Sequence, residues 1–323
     1  MMPAFGRPQS APTQPVSRVA SAVDGVVRIG LPALIALHHD ARSLSLTPGA
    51  IRSPVSGGYR SAFKGRGMEF DEVRPYMQGD DVRTLDWRVT ARTGRPHTKL
   101  YREERERPVL LALDLRPAML FATRGAFKAV RAAQAAALLG WAALDQGDRL
   151  GMLLFSASAH VELRPRRGKA AWLQILNRIA THPAWLTQSA LTSASLNPSL
   201  LRLRRVAQPG SLIVLLSDFA QLDAAASTQL AELARHNELL LVDIHDPLEA
   251  ELPPPGQYRL SDGQHYLTLL TDDPALRARY HEAYARQQAG LQQLCRRYGM
   301  HYLPLSTAES PLSALQHGLA SRR

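Results

Sequence analysis

From residue 108 onward, short unbroken apolar runs alternate with longer stretches whose apolar residues recur every three or four positions. Residues 109–114 (VLLALD), 149–155 (RLGMLLF), 211–217 (SLIVLLS) and 238–244 (ELLLVDI) are of the first kind. Such runs predict strands covered on both faces, the pattern of a parallel sheet. Residues 127–144, 169–180, 198–206, 224–236, 274–298 and 311–319 are of the second kind and predict helices. Residues 301–305 predict a last strand, and the strict alternation over 159–163 suits an edge strand. Residues 258–260 and 265–269 flank Asp262-Gly263, a hairpin turn signal. Strands alternating with helices predict an α/β fold, a six-stranded, mainly parallel sheet with helices on both faces. The runs at 109–113 and 211–216 are predicted to be central and buried.

Upstream of residue 108 the pattern breaks. Residues 1–22 are rich in Pro, Ser, Ala and Gln and predict a flexible tail. Over 23–44 the apolar residues return to helical spacing, interrupted at Gly30-Leu31-Pro32. Residues 46–107 are dense in Gly and charge and predict loops and short strands, one of them near 97–101. The organisation read from the chain is therefore a tail over 1–22, an N-terminal helix and polar segment over 23–107, and an α/β domain over 108–323. Within the polar segment Trp87 is expected to be largely buried, and Arg83 and Asp86 are expected to find partners in the chain.

Composition narrows the class. With 323 residues the chain has room for about two domains. Lys and Arg number 39 against 28 Asp and Glu, a formal +11 that permits an anionic partner without choosing one. A single cysteine, Cys295, excludes a disulfide framework and fits a reducing compartment. The best apolar run, 132–144, is too short for a membrane span. The start MMPAFGRPQSAPTQP lacks the pattern of a signal peptide, so a cytoplasmic location is expected.

Three acids end predicted strands: Asp114, Asp218 and Asp243. In open parallel sheets ligands bind outside the carboxyl ends of the strands, so these acids mark the candidate crevice. They either hold a hard cation or cap the following helices and pair with nearby arginines. No GxGxxG or GxxxxGK[ST] motif is present, which argues against a dinucleotide or Walker-type site. The densest polar cluster holds Glu69, Arg74, Asp80, Asp81, Arg83, Asp86, Trp87 and Arg92. One reading makes Asp80, Asp81 and Asp86 a metal-holding triad for phosphoryl transfer. The interleaved arginines favour internal ion pairs or a docking surface instead. Arg164, Arg166, Arg167 and Lys169, and Arg202, Arg204 and Arg205, read as solvated basic runs.

The motifs GRGMEFDEVRPYMQGDDVRTLDWRVTAR, YREERERPVLLALDLRPAM and DQGDRLGMLLFS resemble those of domain of unknown function 58, over residues 50–245. The resemblance implies a von Willebrand factor A-like fold and partnership with a MoxR-type AAA+ ATPase, extending to other von Willebrand factor A-like proteins. It also implies the position of a metal-ion-dependent adhesion site. The first loop of such a site reads DxSxS, and the matching residues here are Asp114, Leu115, Arg116, Pro117 and Ala118. Thr192 and Asp218 match the second- and third-loop positions. Arg and Ala replace the two hydroxyls, so the site is degenerate and no metal is expected. Arg116 is then either a tethered substitute for the metal or a solvent-facing side chain. The resulting expectation is a non-enzymatic interaction module that needs no cofactor, an adaptor or substrate-presenting partner of the ATPase. The alternatives are a nucleic-acid-binding protein and a metal-dependent hydrolase built on Asp80, Asp81 and Asp86.

Overall fold

The computed structural model of the protein describes residues 24–46, 68–77, 80, 82–103, 107–186, 195–220, 222–261 and 266–320. The tail expected over 1–22, Asp81, Thr192 and the hairpin turn at Asp262-Gly263 lie outside the described residues. The chain divides into two compact units, one formed by residues 54–107 and the other by the chain before residue 54 together with Pro108 onward.

Helices α1 (Leu31–Ala36) and α2 (His38–Ala41) replace the single helix predicted over 23–44. The first starts where Pro32 stands, since proline needs no amide partner in a first helical turn. The segment belongs with the α/β unit, not with the polar segment it was grouped with. The indole of Trp141 donates to the Leu34 carbonyl at 3.0 Å, and the His38 ring stacks on the same indole at 4.2 Å.

In the unit of residues 54–107, β1 (Met68–Pro75) and β2 (His97–Glu103) pair antiparallel, with a register shift between Phe70 and Glu72. Between them lies the seven-residue helix α3 (Trp87–Thr93), capped by the Asp86 carboxylate on the amides of Arg88 and Val89 and closed by Gly94 at φ 69°. Trp87 is 70% exposed, which overturns the expectation of burial. Among the residues of this unit whose side chains are described, only Thr98 is buried, so these residues form no core around the indole.

The other unit carries β3 (Pro108–Asp114), α4 (Lys128–Asp145), β4 (Arg149–Phe155), β5 (His160–Arg166) and α5 (Lys169–Ala180). Then come α6 (Asn197–Val206), β6 (Leu212–Ser217), α7 (Ala224–Ala234), β7 (Glu238–His245) and the short α8 (Pro247–Ala250). A hairpin of β8 (Gln257–Ser261) and β9 (Tyr266–Leu270) precedes α9 (Pro274–Tyr298), β10 (His301–Ser306) and α10 (Pro311–Ala320). The six-stranded sheet runs β10-β7-β6-β3-β4-β5 and is parallel except for the edge strand β5, as the alternation over 159–163 predicted. The unbroken apolar run of β3 serves two cores. Val109, Leu111 and Leu113 pack under α4, α5, α10 and the N-terminal helices, while Leu110 and Ala112 pack under α6, α7 and α9.

This order has one functional consequence. From β3 the chain moves outward to β4 and β5, and from β6 it moves the other way to β7 and β10. The neighbours β3 and β6 therefore flank the topological switch point, and a crevice opens beyond their carboxyl ends.

Candidate functional site

Asp114 ends β3 at that crevice and is fully buried. The chain leaves the strand with the Leu115 amide on the Phe155 carbonyl, and the Arg116 amide bonds back to Asp114 Oδ1 at 2.9 Å. The Arg116 side chain folds the same way. Its Nε lies 3.0 and 2.9 Å from the two carboxylate oxygens and its Nη2 2.6 Å from Oδ2. Ser217, the last residue of β6, donates its hydroxyl to the same Oδ2 at 2.7 Å. Asp218 approaches from the next position, with Oδ1 3.7 Å from Arg116 Nη2. The guanidinium, 6% exposed, thus stands between two carboxylates.

The ionic chain continues away from β3. Asp218 Oδ2 meets Lys128 Nζ at 3.0 Å, and that ammonium meets Glu249 Oε1 at 2.5 Å. Lys128 is 1% exposed at the first position of α4, where the helix dipole opposes a cation. Two carboxylates compensate that position. Glu249 is held in turn by a capping box: Asp246 caps α8, and the Asp246 amide donates to Glu249 Oε2 at 2.8 Å. The Asp246 carboxylate accepts from the Thr123 amide and hydroxyl, from the Thr307 hydroxyl and from the Leu248 amide. Phe219, next to Asp218, has φ 47° and is the sole non-glycine among the described residues in the left-handed region. Backbone strain of this kind collects where the surrounding structure holds a site in one geometry.

The electrostatics follow from burial and pairing. Burial pushes the Asp114 carboxyl up, against the pull of Arg116. Burial alone lowers a cation; Asp114 and Asp218 outweigh that for Arg116, and Asp218 and Glu249 outweigh it for Lys128, so both lie above their ordinary values. Burial also opposes the ionisation of Asp246, but the hydrogen bonds from Thr123 and Thr307 hold its carboxyl below the usual range.

The structure brings together Asp114, Arg116 and Asp218 of the residues read from the sequence, with Arg116 turned inward rather than to solvent. Ala118 is exposed in a 3-10 turn and offers no oxygen. These residues do not fit a divalent ion: a guanidinium fills the space between the carboxylates. Among the described residues no cluster of three or more His, Cys, Asp or Glu has the geometry to hold a metal.

In the polar segment Asp80 pairs with Arg74 at 2.8 Å and accepts the Met77 amide, and that amide with the guanidinium holds its carboxyl below the usual range. Asp86 is spent on the α3 cap, Arg83 interacts within the chain, and Trp87 and Arg92 are exposed. Glu69 lies in β1. Cys295 is buried, and burial pushes its thiol up to about 12. The basic residues Arg164 and Arg166 are exposed on β5, as are Arg204 and Arg205 on α6.

Lys128, Ser217, Asp246 and Glu249 were not among the residues expected at the site. Two signals for them exist in the sequence. A lysine opens an otherwise alanine-rich apolar helix, and Asp246-Pro-Leu-Glu249 carries the spacing of a helix cap.

Fold and crevice define an open, mainly parallel α/β sheet protein with a buried ionic cluster at its switch point. The chain belongs to the family described as "Protein of unknown function DUF58", whose profile matches residues 72–290. Among curated proteins it is 32% identical over 270 residues to the uncharacterized proteins Mb1516 of Mycobacterium bovis and Rv1480 of Mycobacterium tuberculosis, covering 83% of this chain and 84% of each relative. Among solved structures it is similar to the conserved hypothetical protein BatB from Bacteroides thetaiotaomicron, at 16% identity and a TM-score of 0.44 over 67% of this chain and 98% of that one. An aerotolerance-related membrane protein from Bacteroides fragilis aligns at 15% identity and a TM-score of 0.41 over 67% of this chain and 99% of that one. Among the described residues no helix is long and apolar enough to cross a membrane.

Proposed function

We propose that this chain is a non-enzymatic protein-interaction module of von Willebrand factor A-like fold. In this reading its partner is a MoxR-type AAA+ ATPase, for which it acts as adaptor or presents substrates. The observation that carries the reading is the closed ionic chain Asp114–Arg116–Asp218–Lys128–Glu249. Acid–base or metal chemistry needs a group free to change its proton or its ligand. Along this chain each charged group is committed to a partner of opposite sign, so this part of the crevice serves as a surface of one shape. Arg116 acts there as the tethered substitute for the metal that an adhesion site would hold. The mainly parallel sheet, with Asp114 and Asp218 on adjacent strand ends, supports the fold assignment. The exposed indole of Trp87 beside the exposed Arg88 and Arg92 supports a docking surface in the polar segment.

Calorimetric titration of the whole chain against a purified MoxR-type ATPase tests this reading, with ATP and then ADP present. The expected result is binding whose affinity differs between the two nucleotides, since a partner is sensed only through differential affinity. Trp87→Ala is expected to melt within about 0.5 kcal/mol of wild type, as an exposed position should, while binding weakens. No binding at high micromolar concentration removes the proposal. Binding of single-stranded oligonucleotides that falls steeply with salt would move the Trp87 surface to nucleic acid instead.

A further inference from the structure

A cavity of about 250 Å³ lies at the carboxyl ends of β6 and β7 against α9, lined by Asp218, His245, Glu249, Tyr280, Tyr284 and Gln288 among others. Alternation along β7 puts Asp243 and His245 on the face that also carries Leu239 and Leu241, the face packed against Leu291 and Cys295 of α9. Asp243 is fully buried one hydroxyl behind the cavity wall: Tyr302 Oη lies 2.9 Å from its Oδ2 and 2.5 Å from Gln288 Oε1. Among the described residues two acceptor-capable atoms here are buried with no hydrogen-bond partner in the chain, Asp243 Oδ1 and His245 Nδ1. Such orphans are rare in native folds.

Charge is unbalanced in the same place. The carboxylates of Asp114, Asp218, Glu249 and Asp243 are served by two cations, Arg116 and Lys128, and none of their ion pairs reaches Asp243. The groups facing Asp243 are His245 on its own strand, Asp218 after β6, Tyr302 on β10, and Tyr284, Gln288 and Cys295 on α9. Tyr284 stands 6.3 Å from the His245 ring, centroid to centroid. Its aromatic face and that of Tyr280 give the cavity walls that attract organic cations.

We propose that this cavity binds a small organic cation rich in N–H donors, the guanidinium or ammonium group of an arginine- or lysine-like ligand. The N–H groups reach His245 Nδ1 and the lining carboxylates of Asp218 and Glu249, the charge offsets the surplus that includes Asp243 behind the wall, and the alkyl stem runs between the two tyrosine rings. The volume falls just below the roughly 300 Å³ at which pockets for drug-sized ligands begin, which suits a ligand of this size. A bare divalent ion fits poorly, since the tyrosine walls supply no shell of oxygen ligands. Burial pushes the Asp243 carboxyl up to about 6, against the hydrogen bonds of Gln288 and Tyr302 and the neighbouring His245, so what the chain supplies does not fully offset its burial. The proposal does not depend on the ATPase reading.

Calorimetric titration of the full chain with agmatine, butylammonium, the neutral isostere N-butylurea and magnesium chloride tests it. Agmatine and butylammonium are expected to bind saturably at millimolar concentration or tighter, and the urea is not. Asp243→Asn, which keeps shape and removes charge, is expected to weaken agmatine about tenfold or more. Tyr284→Leu is expected to weaken it through the lost ring face. N-acetyl-Gly-Arg-Gly-amide separates the sources: binding as tight as agmatine assigns the cation to a partner's side chain, and binding of agmatine alone assigns it to a free amine. The proposal is overturned if neither agmatine nor the peptide binds the folded wild-type chain. It is equally overturned if both variants, shown folded by circular dichroism, bind agmatine as wild type does.

Discussion

Arg116 and Lys128 are buried as deeply as aliphatic side chains, so their value lies in what they neutralise. Removing one member of a buried pair leaves a charge without compensation and costs about 3–5 kcal/mol. Arg116→Ala is therefore expected to lower the unfolding free energy by that order, read as a lower denaturant midpoint at an unchanged slope. Arg116→Lys is expected to recover only part of it, since an ammonium cannot reproduce the two-pronged contact with Asp114. If the proposed adhesion-site reading holds, combining Arg116→Ser with Ala118→Ser supplies its two hydroxyls, and calorimetry is expected to show divalent-ion affinity that wild type lacks. Asp243 makes a pH-dependent contribution. Its folded value of about 6 exceeds the unfolded 3.8, so the site favours the fold most in acid and loses that contribution as pH rises through 6. Thermal unfolding between pH 4 and 7 is expected to show Asp243→Asn gaining on wild type by up to about 1.4 kcal/mol per pH unit. Asp114 and Asp218 were legible because an acid closing an apolar run marks a strand end, and Arg116 was singled out only through the family resemblance. Trp87 was misread because an aromatic among charges suggests burial only where a local core exists to receive it.

At the scale of elements, the alanine-rich α4 packs close to its neighbours because its side chains are small. Gly140 takes this furthest. A Cβ there would lie 2.1 and 2.2 Å from ring atoms of Trp172. That ring is fully buried and meets the Trp141 ring edge-on at 6.1 Å between centroids, so it has nowhere to move. Alanine gains about 1 kcal/mol over glycine in helix propensity. Overpacking a filled core costs about 1–3 kcal/mol. The clash is expected to win, and Gly140→Ala to melt below wild type in scanning calorimetry. Gly290 of α9 is exposed with nothing within 4 Å of a Cβ, so Gly290→Ala is the control and is expected to stabilise. Most strands and helices were legible from periodicity, which is a local property. The segment at 23–44 was not read correctly, because helical spacing of apolar residues also arises in a turn followed by two short helices on a common core.

At the scale of the molecule, the α/β unit is assembled from two parts of the chain that a polar segment separates. Ile29, Leu34, Ala41, Leu44 and Leu46 are buried in the same core as Trp141 and Trp172. A fragment beginning at residue 108 would expose that surface and strand the Trp141 indole, which bonds to the Leu34 carbonyl. Each buried aliphatic side chain contributes about 1.5–3 kcal/mol. The fragment is expected to bind a hydrophobic dye and melt well below the full chain; matching melting curves would show that the first part contributes nothing to the core. The sequence by itself determined the class of fold, the central strands and the acids at their ends. Alternation and apolar run length are written residue by residue, and a run as short as VLLALD, bounded by Pro108 and Asp114, favours a strand buried on both faces over a helix. Only the tertiary structure decided that β3 and β6 are neighbours, that Arg116 turns inward, and that Lys128 reaches Asp218, 90 residues away, and Glu249, 121 away. It also decided that, among the described residues, Asp243 Oδ1 and His245 Nδ1 find no hydrogen-bond partner near a cavity. A charged side chain is recognised by what surrounds it, and strand order, not local sequence, brings those surroundings together.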